Sequence, residues 1–478
     1  MSKFSALLAL VILVTSCQID QQETESGCDF QSILSPDKNI DCGYLTVPEN
    51  HDDPDSKKIK IAYVILHAED ADSKEYPVIY LSGGPGSSAI DSARINRWYS
   101  HPFRAQRDII LLDQRGIGYS SPLPNLYMEL NDIMAKDLTA EEEQLSIEKL
   151  MVDYAQKCKE QQIDLANYNT FQNAMDVGAL MDRLAYEKYN LYGVSYGTRL
   201  ARVTQDMFPE RLNSVTLNSP NPIKGDMLVD RLNSYSLALS RVIDYCKTNP
   251  ICHAANPTLE ADYFEAINAM EEKALVIDNN EDSVFLNAQD GIYFIRRLLY
   301  GTNSRTEVPA LIKEYLNGGG PIITGLVRKD YGPDYNYAMW FAVERHEMYN
   351  PANTAEIVNQ VYASLPLLPV QLGLFHAVYL SLGKIHESGV AEEKKKFLPS
   401  SVPTLITVNQ FDPVTPPENG LIMMETLSKG QLFILDEGGH GGGDVACRNK
   451  VMNDFMSDPD GPLDASCLNV YKEVGHSM

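Results

Sequence analysis

The run Gly193-Val194-Ser195-Tyr196-Gly197 has the residue types and spacing that can activate a serine. A GxSxG segment turns sharply from a strand into a helix, and small residues two before and two after the serine relieve the crowding. The serine oxygen is then held at the C-terminal edge of the strand, at the positive end of the following helix. A hydroxyl needs a base to become a nucleophile, and the base needs a carboxylate to orient it. On this kind of turn the chain order is serine, acid, histidine. Of nine histidines, His440 is best placed, in the glycine-rich run Glu437–Gly443 after an apolar stretch. Glycines there let the backbone carry an imidazole over the turn. His346 and His476 have no comparable setting. Asp412, in Asn409-Gln-Phe-Asp-Pro-Val-Thr-Pro416, is the expected acid, and Asp436, close before His440, is its rival and reads as a turn residue. An acyl intermediate also needs N–H donors for its oxyanion. The loop Leu81-Ser-Gly-Gly-Pro-Gly86 is expected to supply one from Gly84, and Tyr196 the second.

Those residues need strands that end at one edge. Apolar runs at Lys58–Leu66, Pro77–Leu81, Asp108–Asp113, Tyr189–Val194, Ser214–Leu217, Thr404–Val408 and Leu432–Leu435 read as strands. Thr139 and Glu142 form a capping-box signature opening a helix to about Glu160. Thr170 reads as the N-cap of the next helix, and Tyr196–Met207 as the helix after the serine. Strands alternating with helices specify an α/β fold with a doubly wound, mostly parallel sheet. Between Asn221 and Pro399 the pattern becomes helical, with Tyr, Met and Leu stripes and no strand repeat, and it reads as an inserted lid. The expected plan is a leader over residues 1–17, core over 18–220, helical insertion over 221–399 and returning core over 400–478.

The 478 residues carry 40 Lys+Arg against 65 Asp+Glu, a formal charge of −25. That balance excludes nucleic acid as a partner, which clustered cations would have to bind. It also disfavours docking on anionic lipid through protein charge. Near the start, Lys3, an apolar run from Ala6 to Val14, and Val14-Thr15-Ser16-Cys17 resemble a bacterial lipobox. The implied protein is exported and anchored by acylated Cys17, with Gln18 favouring the periplasmic side of an outer membrane. Seven further cysteines follow, and in an oxidising compartment the short spacings suggest Cys28–Cys42, Cys246–Cys252 and Cys447–Cys467. Cys158 is left over. No CxxC or His/Cys cluster has zinc spacing.

Taken together, Gly83-Gly-Pro-Gly86, Asp113-Gln-Arg-Gly-Ile-Gly118 with Ser120, Gly193-Val-Ser-Tyr-Gly-Thr198, Phe411-Asp-Pro-Val-Thr-Pro-Pro417 and Gly438-Gly-His-Gly441 resemble a known family. It is the proline iminopeptidase and tripeptidyl aminopeptidase branch of the α/β-hydrolases, and the resemblance covers most of residues 40–470. Cys42-Gly-Tyr-Leu-Thr-Val-Pro48 and the late cysteines resemble its secreted tripeptidyl aminopeptidase-like members. It implies a serine exopeptidase releasing residues or short peptides from the N-termini of peptide substrates that enter under a helical cap, with no cofactor. The same triad serves an esterase or lipase, and a third reading is an inactive envelope binding protein. The sequence leaves the oligomeric state open. Members often carry a cysteine in the stretch matching Ala342–Glu347, where this chain has none, which accords with an unpaired Cys158. An aminopeptidase must recognise a free ammonium group, and carboxylates do so through charge-assisted hydrogen bonds. Glu344 and Glu347 share one helix face in Trp340–Glu347. Family members keep an acid matching Glu347, which makes it the first expected amine binder and Glu344 the second.

Overall fold

The computed structural model describes residues 28, 30, 39–92, 98–279, 282–327, 335–353, 355–371, 373–436 and 438–475. Cys17 and His476 lie outside them. Nine strands make the main sheet: β1 (Ile40–Pro48), β2 (Lys58–Leu66), β3 (Val78–Leu81), β4 (Ile109–Leu112), β5 (Tyr189–Val194), β6 (Leu212–Asn218), β9 (Thr404–Asn409), β10 (Gly430–Leu435) and β11 (Val470–Gly475). A separate hairpin holds β7 (Leu275–Asn279) and β8 (Asp282–Leu286). The order across the sheet is β1-β2-β4-β3-β5-β6-β9-β10-β11. From β4 to β10 every neighbouring pair is parallel, and antiparallel β1, β2 and β11 close the edges.

Alternation along the central strands divides the core into two layers. Ile79, Leu81, Ile110, Leu112, Leu191 and Ile406 face one side. Val78, Tyr80, Ile109, Leu111, Tyr192 and Leu405 face the other. Both faces are covered, so β3, β4 and β9 are buried along their whole length, and β3 and β4 read as unbroken apolar runs.

The chain leaves the sheet after β6 and returns at β9, and between them lie the helices Met227–Thr248, Leu259–Glu272, Ala288–Tyr300, Val308–Leu316, Tyr337–Glu347 and Gly373–Ser381. The hairpin β7–β8 also sits in this insertion, where only helices were expected. Helix Ala140–Glu160, from the first part of the chain, packs against Gly373–Ser381, so the insertion rests on more than the sheet edge. Its Thr139–Glu142 capping box forms as the sequence suggests. The next helix, Thr170–Leu184, is capped by Asn169 rather than Thr170: Asn169 Oδ1 accepts from the N–H groups of Phe171 and Gln172. Disulfides join Cys28 to Cys42, Cys246 to Cys252 and Cys447 to Cys467, and Cys158 is a buried thiol.

Candidate active site

Strand β5 ends at Val194 and helix Tyr196–Met207 begins at once, leaving Ser195 to make the whole turn at φ 55°, ψ −123°. Such a backbone costs of order 1–3 kcal/mol and persists only where the surroundings enforce it. Here the Ser195 N–H donates to Asn218 O at 3.0 Å, and Ser195 O accepts the Thr198 N–H at 2.9 Å. The turn also brings three backbones together. A Cβ on Gly197 would lie 1.9 Å from Leu81 O, and one on Gly193 2.4 Å from Gly197 O. Glycine at both positions is a steric requirement, which is the physical content of the motif.

His440 reaches the same place from the loop after β10. Its Nδ1 lies 2.9 Å from Asp412 Oδ2 and 3.0 Å from Oδ1, so the acid is Asp412 and not Asp436. Asp412 follows β9 and is fully buried. Its Oδ1 accepts the N–H groups of Val414 (2.9 Å) and Thr415 (2.8 Å), and its Oδ2 accepts the Thr415 hydroxyl (2.7 Å). Burial alone would raise this carboxyl, but the His440 charge and hydrogen bond and the Thr415 donors together hold it below the ordinary range. An ionised carboxylate can only accept, so Nδ1 carries a proton, and in the neutral imidazole the lone pair is left on Nε2.

The loop after β3 presses on the serine from the other side. A Cβ on Gly83 would meet Ser195 Cβ at 2.9 Å, and both Gly83 and Gly84 border the cavity above the serine. Polar side chains fix this loop. Gln114 Nε2 donates to Ser82 O (2.9 Å), while Ser82 Oγ donates to Ser87 O (2.7 Å). Buried Asp113 accepts from Ser88 Oγ (2.9 Å), Ile90 N (3.1 Å) and Tyr119 N (3.0 Å). Burial pushes its carboxyl up to about 6 despite those donors. Asp113 and Gln114 thus bind the loop that would offer Gly84 N–H to an oxyanion.

Ser195 (8% exposed) and His440 border a cavity of about 500 Å³. The insertion lines much of it with aromatic rings, including Tyr293, Tyr300, Tyr337, Trp340 and Phe375. Insertion and base are joined directly. The Tyr300 ring stands edge-on to His440 at 5.3 Å, and Thr302 Oγ1 accepts the N–H groups of Gly439 (3.4 Å) and Gly443 (3.3 Å). A Cβ on Gly439 would lie 2.3 Å from Tyr300 O, so this loop seats against the insertion only as glycine.

Glu347 and Glu344 are placed elsewhere. Both are fully buried and neither borders the cavity. Glu347 Oε2 lies 2.8 Å from Arg199 Nη1, and its Oε1 accepts the Thr170 N–H at 2.7 Å. Glu344 pairs with Arg231 at 3.3 Å and faces Arg199 at 3.9 Å. Glu347 is held by Arg199 and the Thr170 N–H, while buried Glu344 Oε2, 3.9 Å from Arg199, has no hydrogen bond among the described residues. Placed this way, both acids face Arg199 inside the protein and do not border the cavity, in place of the expected amine contact. Periodicity places two acids on one helix face but does not say what the face meets. Three residues of the cavity or its supports went unnoticed in the sequence: Thr415, Asp91 and Arg296. Thr415 sits inside the quoted Asp412 motif and was legible there; the other two are isolated charges on helices without a local signature.

A doubly wound sheet with a serine turn, an aspartate-held histidine and an inserted roof defines a class before any comparison. The chain belongs to the alpha/beta hydrolase fold family, matched over residues 76–444. Its named relatives include peptidases. It is similar to tripeptidyl aminopeptidase of Streptomyces lividans, 30% identical over 191 residues, 38% of this chain and 35% of that protein. The match therefore spans about a third of that relative's own length. It is similar also to serine protease Hip1 of Mycobacterium tuberculosis, 22% identical over 439 residues, 83% of this chain and 80% of that one. Among solved structures, a proline iminopeptidase from Mycobacterium smegmatis aligns at TM-score 0.39 and 14% identity, over 87% of this chain and 98% of that one.

Proposed function

We propose that this chain is a serine aminopeptidase. Ser195 attacks the scissile carbonyl, His440 Nε2 takes its proton and later gives it to the leaving amine, and Asp412 holds the imidazole tautomer. The N–H groups of Gly84 and Tyr196 receive the developing oxyanion. The observation that carries this reading is the His440–Asp412 pair sharing one roofed cavity with the strained Ser195. A roof over the serine suits chain ends better than the middle of a folded protein. The free amine of a peptide needs an anion, and among the described residues the carboxylate bordering the cavity is Asp91, whose Oδ1 accepts from Tyr119 OH at 3.0 Å. The aromatic lining favours a second reading, hydrolysis of esters with apolar acyl groups. Three disulfides support an oxidising location, and acylated Cys17 would hold the protein at the envelope.

Turnover of Pro-, Ala- and tripeptidyl-anilides against short-chain nitrophenyl esters separates the two readings. Faster cleavage of anilides with a free amine than of their acetylated forms, with the difference lost in Asp91→Asn, is the expected result. Ester turnover without anilide turnover would overturn the peptidase reading.

A further inference from the structure

Two arginines border the cavity, and they differ in one respect. Arg231 is balanced: its guanidinium pairs with Glu344 at 3.3 Å and with Asp230 at 3.4 Å. Arg296, on helix Ala288–Tyr300, has no ion pair and no hydrogen bond among the described residues. It is only 2% exposed, its Nε is buried without an acceptor, and yet it lines the cavity. What it does touch is aromatic. Its guanidinium carbon lies 4.6 Å from the Phe375 ring centre and 5.1 Å from that of Tyr300. The Tyr300 ring in turn meets His440, so a single ring separates this cation from the imidazole.

A buried charge without a counter-ion is costly, and proteins keep one where something else supplies the partner. Ring contacts recover part of the lost hydration but leave the N–H groups without acceptors. A guanidinium is planar and always charged, and its fork of donors matches a carboxylate in two parallel hydrogen bonds. Arg296 packs in the cavity wall against the Phe375 and Tyr300 rings, and the cavity's one acid among the described residues, Asp91, makes no ion pair with it. We propose that Arg296 is the subsite for a carboxylate on the substrate, making it a specificity-determining residue of this hydrolase. The inference rests on the reading of the cavity as a peptide site. Either an acidic side chain or the free C-terminus of a short peptide supplies that chemistry.

The test uses binding, so that it does not depend on turnover. In full-length Ser195→Ala protein, calorimetry compares four peptides: Ala-Ala-Glu and Ala-Ala-Gln, each as the free acid and as the C-terminal amide. A carboxylate reaching Arg296 should bind roughly ten- to a hundredfold more tightly than its neutral counterpart, the range of a charged hydrogen bond. A difference between Glu and Gln that persists in the amides identifies a side-chain carboxylate. A difference between acid and amide that persists in the Gln peptides identifies the C-terminus. Arg296→Met should abolish the preference, and Arg296→Lys should keep part of it. Equal binding of all four peptides with Arg296 intact overturns the proposal without recourse to any variant of that residue, as does a preference that survives Arg296→Met. Cleavage of neutral peptides by the enzyme with Ser195 intact would in that event leave the peptidase reading standing.

Discussion

Asp412→Asn removes one charge and leaves the shape, and the hydrogen bonds around this side chain fix how the amide must sit. Oδ1 accepts two backbone N–H groups, from Val414 and Thr415, which an amide NH₂ cannot replace. The amide oxygen therefore stays at Oδ1 and the NH₂ takes the Oδ2 position, 2.9 Å from His440 Nδ1. There it donates to Nδ1, which forces the ring proton onto Nε2. The nitrogen meant to accept the Ser195 proton is now blocked. A wrong tautomer with intact geometry costs about 10⁴-fold in kcat, equivalent to about 5.5 kcal/mol. KM should change little, because Asp412 is fully buried and touches no substrate. The assay is kcat and KM on the fastest anilide or ester substrate, with circular dichroism to show that the variant is folded. A loss below tenfold would refute the reasoning, since Asp412 would then not be setting the tautomer.

Three further outcomes are expected. Glu347→Gln should lower the melting temperature, at a cost of about 3 kcal/mol from the buried Arg199 left short of its anion, and should affect free and acetylated peptides alike; a selective rise in KM for free amines would restore Glu347 as the amine site. Gly439→Ala places a methyl 2.3 Å from Tyr300 O and should cost about 1–3 kcal/mol of stability by overpacking, together with a large drop in kcat as the His440 loop shifts. Unchanged kinetics and melting would disprove the seating of that loop. Asp290 is pushed up to about 8, chiefly by burial and also by the charges of Glu143 and Asp137, against a hydrogen bond from Asn287 that lowers it. Its native pKa exceeds the unfolded value, so its stabilising contribution is complete below about pH 4 and is lost as pH rises through about 8. Asp290→Asn, which keeps an acceptor for Asn287, should therefore gain on the parent in thermal melts between about pH 5 and pH 9; parallel melting curves would show that the carboxyl is not perturbed.

The central strands were legible because burial on both faces forces continuous apolar runs, as in β3 and β4. The edge strands were not. β1 is half-solvated and carries Asp, Cys, Gly and Thr, and β11 interleaves Lys and Glu with valines, so neither shows an apolar run. The hairpin β7–β8 had a signal in Leu-Val-Ile and Val-Phe-Leu flanking polar turn residues, overshadowed by the helices on both sides. At the site, whatever is enforced locally could be read, since the serine turn and the glycine loop write their steric demands into adjacent positions. The helix cap at Asn169 was missed by one residue because Thr170 is also a good cap. Its hydroxyl instead meets Tyr196 OH at 2.9 Å. Pairings such as Arg199 with Glu347, 148 residues apart, have no local trace, and neither does the solitude of Arg296.

The brace beneath the serine also limits how the protein can be remodelled. Arg199 lies on the first turn of the helix that carries the serine turn, and its counter-ions, Glu344 and Glu347, are lent by the insertion. A designer who exchanged this insertion for another, hoping to import a new substrate range, would strand a cation directly under the nucleophile. Grafting therefore requires moving the two acids along with the roof, or replacing Arg199 by an apolar side chain in the same step. Divergence meets the same toll: drift in the insertion is yoked to the core at these three positions, as it is where Tyr300 and Thr302 seat the His440 loop. Specificity and scaffold are inherited here as a linked pair.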